Sequence, residues 1–366
     1  MEIAIFSSNL LEAEENRARA NCRSVLRTLN GRGHRITCYI AEPKGRDRFD
    51  VRKPDWCDLI AYEPGHREFQ RGANQVGRWD LVVTVGKDTL PPVFLERPIP
   101  PISTCLTAFW DLNPYVSLDK MEGDASDPLR TILPCHDLVL TYGGGSPVAR
   151  RYEALGARHC LPIHNAFDSS CRFPVAPDTR YKSILTFFGD RLPTSERLVR
   201  EYFSEAACRL EGPCLFGGSG WERTPAGARY LEPLDSGEDN ALYSTATAVL
   251  CLNEGCENFA GYTPPRQLFE ATAAGACVIT SEWEGLRQFF EPGKEVLIAK
   301  SGREVASILA QLPPEKARAI GRKARRRALS EHTYLHRALE IEAALCEACR
   351  DAAQKTASPH LATAAV

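Results

Sequence analysis

Apolar residues along the chain alternate between short continuous runs and segments with helical spacing. Glu2–Phe6, apolar from Ile3 onward, is predicted as a strand; a helical pattern follows it, and the largely apolar Ile36–Ile40 is predicted as the second strand. The helical pattern places apolar residues at the i, i+3, i+4 and i+7 positions of one face, namely Cys22, Val25, Leu26 and Leu29. This strand–helix–strand order predicts a βαβ unit, and therefore a parallel sheet with helices on both faces.

Three further runs begin with Asp and continue with apolar residues: Asp58–Tyr62, Asp80–Val85 and Asp137–Tyr142. Continuous apolar runs of this length are typical of strands that are buried on both faces. Pro101–Leu106 is predicted as another strand, and Phe109–Pro114 as a polar-aromatic loop after it. With one more helix and strand, these elements predict a first Rossmann-like domain over residues 1–168.

A turn-rich segment with two prolines, residues 169–182, is predicted to be a linker. A second series of strands follows it, at Ile184–Phe188, Pro213–Phe216, Ala248–Leu252, Cys277–Thr280 and Glu295–Ile298. This series predicts a second Rossmann-like domain over 183–330, then a C-terminal helix over 331–353 and a disordered tail over 354–366. The predicted fold is α/β, with two Rossmann-like parallel-sheet domains facing across a cleft and helices at the C-terminal end. Ligands of such sheets bind at the carboxyl ends of the strands.

The composition agrees with this architecture and limits the kinds of partner. The chain has 366 residues, more than one hydrophobic core usually accommodates. Its formal net charge of −2 argues against nucleic acid as a partner, because broad binding of that kind needs a basic excess. No apolar run approaches the roughly 20 residues of a transmembrane helix, and the first residues do not resemble a signal peptide. We therefore expect a cytoplasmic protein whose 14 cysteines are reduced.

Polar residues and glycines follow three strands of the predicted second domain. Arg191 and Arg197 follow the strand that ends at Phe188, where two guanidinium groups would neutralise a diphosphate. A glycine-rich loop follows the next strand, and Asn253 follows the one after it. The candidate ligand contacts in the glycine-rich loop are Gly218, Ser219 and Trp221. Exposed arginines and an ordinary tight turn are the alternative interpretations.

The segment from Gly261 to Thr280 is the strongest candidate for a site. Two prolines precede its predicted helix, as is common in a first helical turn. Thr263 either caps the N–H groups of that helix or, like them, faces a phosphate. Arg266 and Glu270 are four residues apart, so their side chains point in the same direction. A carboxylate there can accept two hydrogen bonds from a ribose diol while the arginine meets a phosphate; an ordinary surface ion pair is the alternative.

The run Arg266–Thr280, with Phe290–Val296 after it, resembles the donor-domain signature of group 1 glycosyltransferases. Leu268–Ala271, followed by Ala-Gly and an apolar strand, is the centre of that pattern. Within the group, the chain is most similar to the branch that includes spore maturation protein CgeB, since Phe188–Arg191 and Ser330–Ala338 also match it. The resemblance implies a GT-B fold and an enzyme that transfers a sugar from a nucleotide-diphosphate sugar to an acceptor hydroxyl.

The resemblance also implies roles for individual residues. In the superfamily, the second Glu of a Glu-x₇-Glu motif binds ribose hydroxyls, and it matches Glu270. The first falls on Tyr262, a departure from the pattern, and Tyr262 is kept as a candidate contact of the donor at that position. The basic pair that holds the diphosphate matches Arg191 and Arg197, and Arg266 is a third candidate. The sequence has no Asp-x-Asp, so we expect no metal and no cofactor other than the donor substrate. Arginines and helix N-termini would then stabilise the leaving diphosphate.

The acceptor and any catalytic base are expected from the first domain. Asp111 is the candidate base, with a turn-forming role before Pro114 as the alternative, and the Gly143–Ser146 loop is a second candidate. Two other functions of the same fold stay open, namely epimerisation of a nucleotide sugar and non-catalytic binding of one for regulation. An NAD-dependent enzyme is discounted, because Gly-x-Gly-x-x-Gly does not follow the first strand.

Overall fold

The alternating apolar runs fold into two units, each built on one parallel β-sheet. The computed structural model describes residues 1–7, 10–11, 16–41, 53–62, 79–86, 105–191, 195–234, 237–253 and 261–357. Contacts divide the chain into a first unit of Met1–His164 with Tyr334–Val366 and a second unit of Asn165–Thr333. The prediction of two parallel-sheet α/β domains is confirmed.

The described residues of the first unit form a seven-stranded sheet. Its strands are β1 (Glu2–Ser7), β2 (Arg35–Ala41), β3 (Asp58–Tyr62), β4 (Leu81–Val85), β5 (Leu106–Asp111), β6 (Leu138–Tyr142) and β7 (Cys160–Ile163). They pair in the order β3-β2-β1-β4-β5-β6-β7, with every pair parallel. The central strands β1, β4 and β5 are buried along almost their whole length, as expected for a sheet covered on both faces.

Helices connect these strands. They are α1 (Arg17–Gly31), α2 (Pro114–Gly123), α3 (Leu129–Ile132) and α4 (Gly145–Ala154), with a short 3₁₀ turn at Leu133–Cys135. The helix predicted after β1 is α1, and the apolar face identified from the sequence is its buried face. The Asn16 side chain caps it by accepting a hydrogen bond from the Arg19 backbone N–H at 3.1 Å.

One predicted strand of the first unit is wrong. The strand expected at Pro101–Leu106 begins instead at Leu106 and runs to Asp111, through the segment predicted as a polar-aromatic loop. The side chains of Phe109 and Trp110 are buried, so these aromatic residues belong to a strand core and not to a loop. Residues 101–104 lie outside the described part of the chain.

The described residues of the second unit form a six-stranded parallel sheet. Its strands are β8 (Leu185–Phe188), β9 (Cys214–Gly217), β10 (Ala228–Leu231), β11 (Ala248–Cys251), β12 (Val278–Thr280) and β13 (Val296–Ile298). They pair in the order β10-β9-β8-β11-β12-β13. In chain order within this unit, that arrangement is 3-2-1-4-5-6, the Rossmann order. The direction of winding therefore reverses between β8 and β11, the two central strands.

The helices of the second unit cover both faces of this sheet. They are α5 (Ser195–Leu198), α6 (Glu205–Ala207), α7 (Glu238–Thr245), α8 (Arg266–Ala273), α9 (Leu286–Phe289), α10 (Gly302–Ala310) and α11 (Pro314–Glu331). A π-helical segment, Val199–Ser204, joins α5 to α6 without a break. The sequence patterns did not predict β10, α7 or α9.

The chain ends in α12 (Tyr334–Ala357), which follows the second unit in sequence but belongs to the first. It packs against α1 and against β5, β6 and β7. It is close to the helix predicted over 331–353 but continues to Ala357, so residues 354–357 of the predicted disordered tail are helical; the rest of that segment, 358–366, lies outside the described residues. Within the described residues, no helix combines the length and apolar character that crossing a bilayer requires.

Candidate functional site

The predicted site residues of the second unit follow the carboxyl ends of neighbouring parallel strands. The strands β8, β9 and β11 lead into loops that contain Arg191, Ser219 and Asn253 respectively. Because β8 and β11 are adjacent and mark the reversal of strand order, their carboxyl ends form the crevice where open α/β sheets bind ligands. Residues 254–260, between Asn253 and the next helix, lie outside the described residues.

The helix α8 begins at this edge, after the connection that follows β11. Pro265 occupies the N-cap position with extended backbone angles, and Arg266 is the first helical residue. The next residues bury the helix along most of its length, including Glu270, which is 9% exposed. Gly275 ends the helix with a left-handed φ of +82°, a conformation that favours glycine. The polar residues of α8 are therefore presented from a helix that the core holds in place.

Four charged side chains meet beside α8. Arg266 Nε lies 3.5 Å from Glu270 Oε1, and Arg172 Nη2 lies 3.4 Å from the same oxygen. Arg172 Nη1 also donates a hydrogen bond to Asp239 Oδ1 on α7. The Arg266 side chain is 52% exposed, but that of Glu270 is only 12% exposed. Two guanidinium groups thus neutralise two carboxylates, and the predicted i, i+4 pair is half of a larger network.

The buried surroundings keep this network in a low-dielectric environment. Burial raises the pKa of Tyr243 well above its usual range, and the nearby negative charge of Glu270 adds to that shift. The phenol therefore stays protonated beside the carboxylate. For Glu270, the ion pairs with Arg172 and Arg266 offset the cost of removing a carboxylate from water.

Tyr262, at the position where the superfamily motif has its first Glu, is a core residue. It is 5% exposed and packs against Trp283 and Phe289. Its hydroxyl donates a hydrogen bond to Gln288 Oε1 at 2.6 Å. A Cβ on Gly285 would lie only 2.7 Å from the Tyr262 ring, so the glycine makes room for the aromatic side chain. The departure from the motif is therefore accommodated by its neighbours.

The loops after β8 and β9 are joined by hydrogen bonds. Asp190 Oδ1 accepts a hydrogen bond from the Ser219 N–H at 3.0 Å, and the Arg191 N–H donates to Ser219 O at 2.9 Å. A Cβ on Gly218 would lie 2.1 Å from Gly189 O, so the glycine permits contact between the two backbones. The glycine-rich sequence thus has a structural cause in the packing of one loop against the other.

Trp221, predicted as a ligand contact, links the loop after β9 to the loop after β8 and packs against the core. Its indole Nε1 donates to Gly189 O at 2.7 Å, and its ring packs edge-on against Phe187 and Phe216. This side chain positions the loop that carries Arg191. A contact between Trp221 and a ligand stays a prediction.

The two arginines predicted to hold a diphosphate are exposed and form ion pairs. Arg191 Nε lies 2.6 Å from Glu196 Oε1, and Arg197 Nη1 lies 3.7 Å from Glu201 Oε1. Their side chains are 39% and 51% exposed, respectively. Exposed pairs of this kind exchange partners at little cost, since each contributes about 0–1 kcal/mol. A contact between either guanidinium group and a diphosphate stays a prediction.

Asp111, the predicted base, lies at the carboxyl end of β5 in the first unit and is buried. Its Oδ1 accepts a hydrogen bond from the Asn113 N–H at 2.8 Å, which holds the turn before α2. Its Oδ2 accepts one from the Tyr152 hydroxyl at 2.7 Å. Burial raises the pKa of Tyr152 well above its usual range, and the charge of Asp111 adds to it, so the phenol stays a donor. This geometry matches the turn-forming alternative, and a catalytic role for Asp111 stays a prediction.

Comparison with known proteins places these features in a known fold. Residues 196–343 match the family described as "Glycosyl transferase-like". The chain is similar to the structure of sucrose-phosphate synthase from Thermosynechococcus elongatus, with 14% identity, 98% of this chain and 99% of that chain covered, and a TM-score of 0.65. The fold is GT-B.

Two further GT-B structures are similar over nearly their full lengths. Anabaena HepE in complex with UDP-glucose is 12% identical, with 95% of this chain and 100% of that chain covered and a TM-score of 0.63. AviGT4, a glycosyltransferase involved in avilamycin A biosynthesis, is 15% identical, with 96% and 98% covered and a TM-score of 0.58. No curated protein matches the chain by sequence. The match to the family confirms the predicted enzyme class, a transferase.

Sequence reasoning missed two residues of the charged network in this GT-B chain. Arg172 lies in the segment predicted as a linker, and Asp239 lies in the helix α7, which was not predicted. Arg172 and Asp239 are 67 positions apart in sequence, and no local pattern relates them. The one available signal was charge: Arg172 is the single basic residue in the otherwise uncharged run 169–177.

Proposed function

We propose that this GT-B chain transfers a sugar from a nucleotide-diphosphate sugar to an acceptor hydroxyl. The observation that carries the proposal is the pairing of Arg266 with the buried Glu270 on a helix that begins at the β8/β11 crevice. A fixed carboxylate is suited to accept hydrogen bonds from both hydroxyls of a ribose. HepE, whose structure was determined with UDP-glucose, supports a nucleotide sugar as the donor class.

In this proposal, the positive groups at the strand ends bind the diphosphate. Arg266 is half-exposed one turn from Glu270, and Arg191 and Arg197 follow β8. The leaving group develops negative charge as the bond to the sugar breaks, and preorganised cationic donors stabilise that charge. Removing one such donor typically costs on the order of 10²-fold in rate. The N-terminal end of α8 adds a partial positive charge at the same edge.

Metal independence is part of the proposal. The sequence contains no Asp-x-Asp, and three arginines supply positive charge where a metal would otherwise act. The expected result is that transfer continues in the presence of a chelator and gains nothing from added Mg²⁺ or Mn²⁺. Loss of activity with a chelator, restored by a divalent cation, would contradict this part of the proposal.

We also assign the chain to the CgeB-like branch of group 1 glycosyltransferases and to the cytoplasm. The branch rests on the resemblance at Phe188–Arg191 and Ser330–Ala338. The cytoplasmic location is supported by the cysteines that the structure describes, which are all free thiols, as is usual in a reducing compartment.

A thermal-shift screen with uridine, guanosine, thymidine and adenosine diphosphates tests the donor site. A nucleotide at 100 times its dissociation constant should stabilise the chain by about 2.7 kcal/mol. We expect a shift with at least one of them, and its loss in Glu270→Ala. Glu315→Ala is the matched control, because that carboxylate is 82% exposed on α11, and it should retain the shift. No shift with any of the four would count against the donor site.

The nucleoside diphosphate that gives the thermal shift determines which donors are used in the activity test. The protein is incubated with sugars linked to that nucleoside diphosphate and with a pool of hydroxyl acceptors, and release of the nucleoside diphosphate is measured. Transfer predicts release that depends on an acceptor. Isomerised donor without release, detected by NMR, would indicate an epimerase. Binding without either reaction would indicate a regulatory binding protein.

A further inference from the structure

The segment that connects β7 to β8 in the sequence contains an arginine that is largely buried. Arg172 lies in the run 169–182, whose prolines and turn residues predicted a linker. Its side chain is nevertheless only 17% exposed, compared with 64% for Arg180 in the same run. Burying a guanidinium group is costly unless its charge is compensated, so its contacts are specific.

The segment is held in place by α7. Asn240 Nδ2 donates a hydrogen bond to Cys171 O at 2.7 Å, and the Val175 N–H donates to Ser244 Oγ at 3.1 Å. The Ser244 hydroxyl donates to Ala274 O, at the end of α8, at 3.2 Å. Hydrogen bonds therefore tie the segment to α7, and α7 to the helix that carries Glu270.

The two arginines beside Glu270 differ in how firmly they are fixed. Arg172 is anchored a second time by its hydrogen bond to Asp239, whereas Arg266 is 52% exposed at the start of α8. Both contact Oε1 of Glu270, Arg172 through Nη2 and Arg266 through Nε. A ligand that attracts Arg266 would leave Arg172 as the partner of the carboxylate.

From this geometry we propose that Arg172 is a positioning residue that holds Glu270 for the ribose of the nucleotide. Anchored to Asp239 on α7, it holds Glu270 at Oε1, while Arg266, at the half-exposed start of α8, is able to turn toward a phosphate. The inference rests on the proposed function and goes beyond it, because it assigns recognition of ribose to a side chain outside the donor signature.

The test compares uridine diphosphate with its 2′,3′-dideoxy analogue by calorimetry, or the matching pair for whichever nucleotide gives the largest thermal shift. Hydrogen bonds to a charged group are lost in the dideoxy compound, so the wild type should prefer the ribose form by about tenfold or more. Arg172→Gln and Glu270→Gln should each reduce this preference to less than about threefold. Arg180→Gln, an exposed arginine of the same segment, should leave it unchanged.

A double variant separates positioning from general stability. If Arg172 acts through Glu270, Arg172→Gln in the Glu270→Gln background should cause no further loss of ribose preference. Arg172→Lys keeps one charge but reaches only one of the two carboxylates, so we expect an intermediate preference. It also serves as the test if the glutamine variant does not fold.

The outcomes distinguish the inference from the function on which it rests. A wild type that binds neither compound would count against the donor site and the inference together, whereas one that binds both equally would overturn the ribose role of Glu270 and with it the inference. Loss of the preference in Glu270→Gln, with the wild-type preference retained in Arg172→Gln or, if that variant does not fold, in Arg172→Lys, would overturn the inference alone. Additive losses in the double variant would likewise show that Arg172 does not act through Glu270.

Discussion

At the scale of single residues, Tyr262 shows how the residues around a motif position are suited to the side chain that occupies it. An aromatic ring stands where the superfamily has a carboxylate, and Trp283, Phe289 and the small Gly285 surround it. A Glu at this position would place a charge in an aromatic cluster, which is costly without a compensating partner. The ring of Tyr262 therefore packs in the core of the second unit, and a contact between Tyr262 and a ligand stays a prediction.

Substitutions of Tyr262 should separate its ring from its hydroxyl. Tyr262→Phe removes one hydrogen bond to the exposed Gln288, so we expect a loss of about 0.5–1.5 kcal/mol in the free energy of unfolding. Tyr262→Ala also removes the ring and should cost about 3–5 kcal/mol. Urea unfolding of the three proteins measures both values. Equal losses in the two variants would contradict a packing role for the ring.

The contrast between Glu270 and Arg172 shows which contacts a sequence reveals. Arg266 and Glu270 are one helical turn apart, so the spacing alone predicts that they meet. Arg172 and Asp239 come together only because the segment before β8 lies against α7. Trp221 is an intermediate case: its position after a strand was correct, but the packing of its ring against Phe216 depends on the fold.

At the scale of elements, strands with continuous apolar runs were predictable, and short or weakly apolar elements were not. The strands β1, β3 and β11 were located within a residue or two, since each is a compact apolar run. β5 was misplaced because its aromatic residues and terminal Asp resemble a loop. β10 was missed because its four residues, Ala228–Leu231, alternate in exposure and form the edge of the sheet.

The close contact between α11 and the residue that ends α8 predicts that an alanine in α11 is destabilising, although alanine favours helix more than glycine does. A Cβ on Gly321 would lie 2.1 Å from Gly275 O, so Gly321→Ala should push α11 away and cost about 1–3 kcal/mol. Gly31→Ala at the end of α1 is the matched control, because no atom lies within 4 Å of its added Cβ. That variant should be neutral or stabilising by up to about 1 kcal/mol. Thermal unfolding of both variants checks the opposite signs.

At the scale of the whole molecule, the chain passes between its two units twice, after His164 and after Thr333. The second passage returns α12 to the first unit, where it packs against α1. Periodicity predicts that a helix exists at the end of the chain, but it carries no information on which sheet that helix covers. That choice depends on contacts between residues about 300 positions apart, such as Arg32 with Glu342.

The ion pair that joins α12 to α1 should make the first unit sensitive to acid. Arg32 binds Glu342 with two hydrogen bonds of 2.6 and 2.8 Å, and His34 lies 3.0 Å from the same carboxylate. The hydrogen bond from Arg32 holds the pKa of Glu342 at about 2, below its usual 4.5. Because the folded pKa is the lower one, the pair stabilises the fold above about pH 4.5, and this stabilisation is lost as the pH falls toward 2.

Glu342→Gln keeps the size of the side chain but removes the charge. At pH 7 we expect it to lower the free energy of unfolding by about 0.2–1 kcal/mol, the range for a partly exposed pair. The difference from the wild type should shrink between pH 5 and pH 3, because the wild-type carboxylate itself then takes up a proton on unfolding. Urea unfolding midpoints at pH 7, 5, 4 and 3 measure this change. Arg32→Gln should show the same trend, and a difference that stayed constant across these pH values would mean that packing of α12, and not its charge, holds it to α1.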